Sequence, residues 1–293
     1  MTAERSIVLQ PRGEFSFEEA AGFGFGPRTP DTDGDRLRIA CVGDDLSSSF
    51  AAVVRPDGDG SLHCALAGSS SDDAARAQIE RILSLDHDGA EWARIADADP
   101  KLAELRRLRP GSRPVLFHSP YEAAAWSIIS LRRGRTQGQN LRARIAAALG
   151  EPIELEGESL DVFPTPERLL EADASIQGLD PNRAERVHGV ARAALEGHLE
   201  PELLRSMEPA EAIEHLTRIH GLGPYYAGLV LVRSSGTADA LPVAEKKLLA
   251  ATARLYGKRS LTDSGLAKLA EDWRPFRTWA GVLIRSSSDR ELF

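Results

Sequence analysis

Near residue 99 the sequence changes the kind of periodicity it carries, and this change constrains the fold more than any other feature. Before it, short apolar runs alternate with turn chemistry: Leu37 to Val42, Phe50 to Arg55 and Ser61 to Leu66, the last two separated by Pro56-Asp57-Gly58-Asp59-Gly60. Two alternating runs around a Gly/Asp cluster predict an antiparallel hairpin. Ser71-Asp72-Asp73 then caps a helix from Ala74 to Leu83, with Ala75, Ile79 and Ile82 at helical spacing. After Asp99 the alternation disappears and helices follow one another across short Gly/Pro joints. They are expected at 100–108, 121–130, 138–149, 166–171, 181–196, 202–206, 209–219, 224–234, 246–256, 264–270 and 275–285. Proline recurs at or near the first helical position, where its missing N–H costs nothing. The expected fold is α+β, with a small N-terminal α+β domain over 1–98 and an all-α domain over 99–293. Gly24 to Asp35, rich in Gly, Pro and Asp, reads as a loop.

A chain of 293 residues can bury two cores without external staples. No uninterrupted apolar run approaches the 18 residues a membrane span requires, and Met1 to Gln10 does not have the form of a signal peptide. A cytoplasmic, nucleoid-associated monomer is the expectation. Cys41 and Cys64 both fall in strand-like runs and are expected to be buried free thiols. The 7 histidines do not fall at zinc-ligand spacing with a cysteine or with each other, which argues against a zinc enzyme.

The net charge of −8 conceals a steep internal asymmetry. Residues 1–100 carry 9 basic against 19 acidic side chains, whereas residues 101–150 carry 10 against 2. One basic surface on an acidic body is the footprint of phosphate contact; arginines on a solvated helix face are the plainer alternative.

The sharpest local motif is Leu216-Thr217-Arg218-Ile219-His220-Gly221-Leu222-Gly223-Pro224-Tyr225-Tyr226-Ala227, where two helices meet at a hairpin. Gly221 and Gly223 allow positive φ and close backbone approach, and Pro224 opens the second helix. Free N–H groups at that helix start suit an anion such as a phosphate. A plain helix corner has the same glycines.

The hairpin, with Asp239-Ala240-Leu241-Pro242-Val243-Ala244-Glu245-Lys246-Lys247-Leu248 after it, resembles the helix-hairpin-helix DNA glycosylase superfamily, and within it bacterial 3-methyladenine DNA glycosylase II. Further stretches resemble the family in its order: Asp99-Pro100-Lys101-Leu102, Arg109-Pro110-Gly111-Ser112-Arg113-Pro114, Ser119-Pro120-Tyr121-Glu122-Ala123-Ala124, Phe163-Pro164-Thr165-Pro166-Glu167, Gly178-Leu179 before Arg183-Ala184, and Trp273-Arg274-Pro275-Phe276-Arg277. The resemblance covers nearly the whole chain and implies an N-terminal sheet of the TATA-binding-protein type. It also implies double-stranded DNA with damaged bases as partner, and removal of alkylated or damaged purines by base flipping in base-excision repair.

The resemblance implies a catalytic carboxylate after the Pro-containing loop. Counting from Asp239 places it at Glu245, in place of the family's Asp; anchoring on Leu241-Pro242 places Ala244 there instead. Glu carries the charge about 1.5 Å farther out, and a misplacement on that scale costs roughly a hundredfold in rate. Glu245 is otherwise an ordinary acidic residue at a helix start. Tyr225 stands where bifunctional relatives carry a nucleophilic lysine, which implies a monofunctional enzyme and a base pocket made with Tyr225 and Trp279. Gly221, Leu222, Gly223, Arg132, Arg133, Lys246 and Lys247 are the expected DNA contacts, with Arg132 at the family's wedge position. The carbonyls of Thr217, Ile219 and Leu222 would hold a monovalent sodium or potassium ion. No other cofactor is expected, and with no cysteine after Cys64 no iron-sulfur cluster is expected either. Arg285 replaces a pocket tryptophan of the family. Two other readings stay open: a DNA-binding relative that has lost the chemistry, and a helical scaffold unrelated to DNA.

Overall fold

The computed structural model describes residues 4–24, 35–172, 178–242 and 244–293, so most of the loop expected between Gly24 and Asp35 lies outside the described residues. Strands β1 (Arg5–Leu9), β2 (Leu37–Val42), β3 (Ser49–Pro56) and β4 (Leu62–Gly68) form one antiparallel sheet in the order β1-β4-β3-β2. Helices α1 (Phe17–Ala21) and α2 (Asp72–Ile82) belong to the same unit. Ile39 and Cys41 on β2, Ala52 and Val54 on β3, and Cys64 and Leu66 on β4 point inward, where they meet Ala75, Ile79 and Ile82 of α2. Period two on the strands and period 3.6 on the helix thus bury one continuous apolar layer. Both cysteines are free and buried within it.

Sequence reasoning missed β1, whose Ile7 and Leu9 alone face the core. Its partner β4 lies far along the chain, so no turn signal announces the pairing. It also expected no strand beyond residue 99, whereas β5 (Ile153–Leu155) and β6 (Glu158–Leu160) form a hairpin. Glu156 and Gly157 both take positive φ at its tip, 51° and 77°, and the Arg55 guanidinium donates to Glu156 at 2.6 Å. The turn wants Asn or Asp before its Gly, and Glu disguised it. Ile153, Leu155 and Val162 cover the sheet's outer face at Val42, Ala51, Val53 and Ala67.

The remaining chain is helical: α3 (Gly89–Ala98), α4 (Pro100–Leu108), α5 (Pro120–Ile129), α6 (Arg135–Leu149), α7 (Pro166–Glu171), α8 (Pro181–Leu195), α9 (Pro201–Ser206), α10 (Pro209–Thr217), α11 (Pro224–Ser234), α12 (Lys246–Leu255), α13 (Asp263–Leu269) and α14 (Arg277–Asp289). A 3-10 turn over Ala270–Trp273 precedes α14. Prolines open α4, α5, α7, α8, α9, α10 and α11, as the sequence pattern required. Helix α3 was not foreseen because Gly89 at its first position reads as a breaker. Asp88 nevertheless caps it by accepting from the Ala90 N–H at 2.8 Å.

Two helical cores position the site. One joins α5, α8, α10 and α11 through residues such as Tyr121, Ile128, Val187, Val190, Leu216, Ala227 and Leu231. The other joins α3 and α4 to α12, α13 and α14, with Trp92, Trp273, Phe276 and Trp279 at its centre. Buried arginines tie the sheet unit to this body: Arg81 of α2 holds Asp44 at 2.6 Å and the Ser234 carbonyl at the end of α11. Arg109 holds Glu19 of α1 at 2.6 Å and Ser286 of α14. Among the described residues no helix is long and apolar enough to cross a membrane.

Candidate active site

Helices α10 and α11 meet at the hairpin expected from the sequence. Gly221 has φ +100°, a conformation that a side chain would strain, and the Arg186 side chain packs against it. Gly223 differs from the expectation. Its φ is −76°, it is the N-cap of α11 with no side-chain cap, and a Cβ there would meet nothing. Gly223 therefore leaves the start of α11 open, so that the first-turn N–H groups face outward. Leu222 is 3% exposed and Ile219 is buried, which limits them to backbone contacts with any partner. The Ile219 carbonyl accepts from the Leu222 N–H at 3.0 Å, whereas no backbone hydrogen bond among the described residues closes on the carbonyls of Thr217 or Leu222. Carbonyl oxygens of this kind suit a hard monovalent cation. Among the described residues no cluster of three or more His, Cys, Asp or Glu side chains could hold a metal.

The first turn of α11 leads directly into a cleft of about 610 Å³. Its walls come from α11 (Tyr225, Leu229, Val232, Arg233), the start of α12 (Glu245, Lys247, Leu248) and α14 (Thr278, Gly281, Val282, Arg285). Pro242 and Arg135 also line it. Tyr225 is 38% exposed, a large aromatic left partly bare at a cavity mouth, with Tyr226 edge-on at 5.2 Å. Burial, reinforced by the Glu245 charge, raises the Tyr225 pKa, so its phenol is neutral at physiological pH.

Glu245 is 7% exposed and is the N-cap of α12, its Oε2 accepting from the Leu248 N–H. The plain reading of this residue as a helix-start acid is therefore part of its role. Its other oxygen, Oε1, has no hydrogen bond among the described residues, and the side chain lines the cleft. Ala244, the alternative register, is exposed with φ +53° and gives its N–H to Asp263 at 3.0 Å. Asp239 is not free for chemistry: it holds Arg277 at 2.6 Å and Arg274 at 2.7 Å, which pins the loop between α11 and α12 to the start of α14.

Trp279 does not take the expected place in a base pocket. It is 2% exposed and packs against Phe276 at 5.1 Å and Trp92 at 5.8 Å, with the Arg113 guanidinium 5.6 Å from its ring. Its helical neighbour Thr278 faces the cleft instead. The basic segment is also spent differently from the expectation. Arg106 is paired with Asp97 at 2.7 Å, Arg109 and Arg113 are buried, and Arg142 pairs with buried Glu122 at 2.6 Å. Much of the local surplus therefore serves the interior. What remains outward includes Arg132, at φ +55° in the turn after α5, and Arg135, which lines the cleft with Lys247. Arg133 is half-buried and donates to the Ile129 carbonyl at 3.2 Å, while Lys246 is exposed beside Lys247. Arg233, which sequence reasoning did not single out, lines the cleft two turns beyond Tyr225; its i+8 spacing from Tyr225 was the available signal.

No protein-family model matches the chain. The chain is 27% identical over 206 residues to the DNA-3-methyladenine glycosylase of Bacillus subtilis, an alignment covering 69% of this chain and 68% of that protein. Its fold is that of 3-methyladenine DNA-glycosylase from Archaeoglobus fulgidus, with TM-score 0.78 and 24% identity over 97% of this chain and 98% of that one. Clostridium acetobutylicum 8-oxoguanine glycosylase/lyase, solved in complex with double-stranded DNA containing cytosine opposite 8-oxoG, has the same fold. The TM-score there is 0.67 at 17% identity, covering 99% of this chain and 98% of that one.

Proposed function

We propose that this chain, whose fold and sequence relatives are those of the helix-hairpin-helix DNA glycosylase superfamily, is a monofunctional DNA N-glycosylase excising alkylated or otherwise damaged purines from nucleoid DNA. The observation that carries this reading is the convergence of Tyr225 and Glu245 on one cleft beside the hairpin. With the boundary expected at residues 98 and 99, the N-terminal sheet unit acts in this reading as support and the helical unit as working domain, and α3 (Gly89–Ala98) packs with the helical one.

In this mechanism the hairpin backbone at Gly221, Leu222 and Gly223 docks on a phosphate through the N–H groups of Gly221 and Gly223 and of the first turn of α11, while the Leu222 N–H closes the turn on the Ile219 carbonyl. A monovalent ion on the carbonyls of Thr217, Ile219 and Leu222 supplies additional positive charge there. Arg132, Arg133, Lys246 and Lys247 neutralise neighbouring phosphates, and Arg132 fills the gap left by the extruded nucleotide. The flipped purine stacks on the bare face of Tyr225. As the glycosidic bond lengthens, positive charge grows on the sugar, and the Glu245 carboxylate stabilises it while water attacks. Tyr225 cannot form a Schiff base, so no lyase step follows. Capping holds Oε2 against α12 and leaves Oε1 for the reaction.

A second reading, a DNA-binding relative without chemistry, draws on one observation: the carboxylate is already engaged in capping and is longer than the family's Asp. Incubating the pure protein with duplexes carrying methylated, deaminated or etheno-adducted purines separates the two. Release of a free base supports the enzyme, and release of none, with duplex binding intact, supports the relative without chemistry.

A further inference from the structure

The cleft has a charged inner end that the proposed chemistry does not use. Arg233 reaches it from α11, beyond Leu229 and Val232. Among the described residues no hydrogen bond or ion pair engages its guanidinium. Its own carbonyl accepts from the Phe117 N–H at 2.7 Å, which fixes the backbone at this point. Burial pulls the Arg233 pKa down, with Tyr225 and Glu245 acting in the opposite direction. Arg285 stands beside it on α14; it is tied to Asp289, but its Nε is buried without an acceptor. Of the nearby carboxylates, Asp289 pairs with Arg285, and Glu245 caps α12 through Oε2, while its Oε1 lines the cleft without an ion pair to Arg233.

Arg233 is half-buried at the cleft wall and the Arg285 Nε is buried without an acceptor, so a ligand that brings acceptors to this end of the cleft gains charge-assisted hydrogen bonds there. A guanidinium presents paired N–H groups that match the O6 and N7 acceptors of a purine with a carbonyl at position 6. A purine made cationic by alkylation would instead place positive charge against an unpaired arginine.

Building on the glycosylase reading, we propose that Arg233 selects the substrate, so that the cleft takes a neutral 6-oxopurine, a deaminated base such as hypoxanthine, in preference to a cationic alkylated purine. Arg285 narrows the same end of the cleft. Discrimination of roughly ten- to a hundredfold is the scale of one well-made bidentate contact.

Two measurements on the full chain test this. The first is single-turnover release from matched duplexes carrying hypoxanthine, 3-methyladenine or 1,N6-ethenoadenine. The second is binding to duplexes carrying 2′-fluoro-2′-deoxyinosine or 2′-fluoro-2′-deoxyadenosine, whose glycosidic bonds resist cleavage. The wild type should release hypoxanthine roughly ten- to a hundredfold faster than the other two bases and bind the inosine duplex more tightly. Arg233→Met should erase both preferences without loss of folding, because it removes a charge that has no partner, and Arg233→Lys should restore part of them. Faster release of 3-methyladenine by the wild type, or preferences that survive in Arg233→Met, would overturn the proposal. If no base is released yet the inosine preference depends on Arg233, the glycosylase reading fails while recognition by Arg233 stands. If neither release nor preference is seen, both fail.

Discussion

Glu245 caps α12 by accepting the Leu248 N–H and, with the same side chain, lines the cleft that Tyr225 guards. The two duties make different demands. Capping is served by any side-chain oxygen, whereas stabilising a positive sugar needs the negative charge. Glu245→Gln should keep the cap and lose the charge. We expect base release to fall by about a hundredfold or more, with duplex affinity changed less than about twofold and thermal stability nearly unchanged. Glu245→Asp restores the family's residue and should match or exceed the wild-type rate. Equal rates for all three proteins in single-turnover release would remove Glu245 from the mechanism.

Tyr225 offers a complementary test because it is partly bare and contributes little to the core. Tyr225→Ala should reduce base release by at least tenfold, and Tyr225→Phe should retain most of it, since stacking requires only the ring. Duplex affinity should hold in both variants. A large drop in melting temperature for Tyr225→Ala would instead mark the ring as a packing residue shared with Tyr226.

The hairpin, the proline-initiated helices and the inner face of the sheet were legible because each depends on a local rule. Gly221 must take positive φ, Pro must start a helix, and Val54 and Cys64 must alternate with outward neighbours. What stayed hidden depends on distant partners. Ile153 and Leu155 become a strand only because Val53 and Ala67 need cover, and Gly89 starts a helix only because Trp92 has Phe276 to meet. The placement of Trp279 illustrates the same limit: one position along α14 separates the tryptophan core from the cleft, a difference that composition cannot resolve. The basic segment misled in part because Arg109, Arg113 and Arg142 answer to buried acceptors far along the chain.

Charge at the surface can be counted by salt. If Arg132 and Lys247 neutralise one phosphate each, Arg132→Ala and Lys247→Ala should each reduce the slope of log K against log salt by about 0.9. The exposed Arg168, which pairs with Glu171 at 2.7 Å on α7, is a control that should leave the slope unchanged when replaced by Ala. Fluorescence anisotropy with an undamaged duplex between about 50 and 200 mM salt measures this. An unchanged slope for both variants would place the phosphate path elsewhere.

The thiols should be inert in the folded protein. Burial pushes Cys64 up to about 12 and Cys41 well above the ordinary thiol range, so almost no thiolate exists at neutral pH. Reaction with a thiol reagent should follow global unfolding, reaching both cysteines in urea and neither in buffer.

Acid stability depends on Glu122, which is buried at the start of α5. Desolvation there raises its pKa, but His118 at 3.4 Å and Arg142 at 2.6 Å outweigh it and bring the carboxyl down to about 2. In the unfolded chain the same group titrates at about 4.3. A depressed folded pKa contributes stability that is complete above the unfolded value and is lost as pH falls toward about 2. The contribution is of the order of 3 kcal/mol. Glu122→Gln removes that proton linkage and leaves Arg142 without its carboxylate, which should cost about 3 kcal/mol at pH 7. Urea unfolding of both proteins from pH 6 to pH 2 should therefore show a gap that is constant down to about pH 5 and closes as pH falls further. The shared background of other carboxylates cancels in that difference. A gap that stays constant to pH 2 would mean that Glu122 is not held ionised by His118 and Arg142.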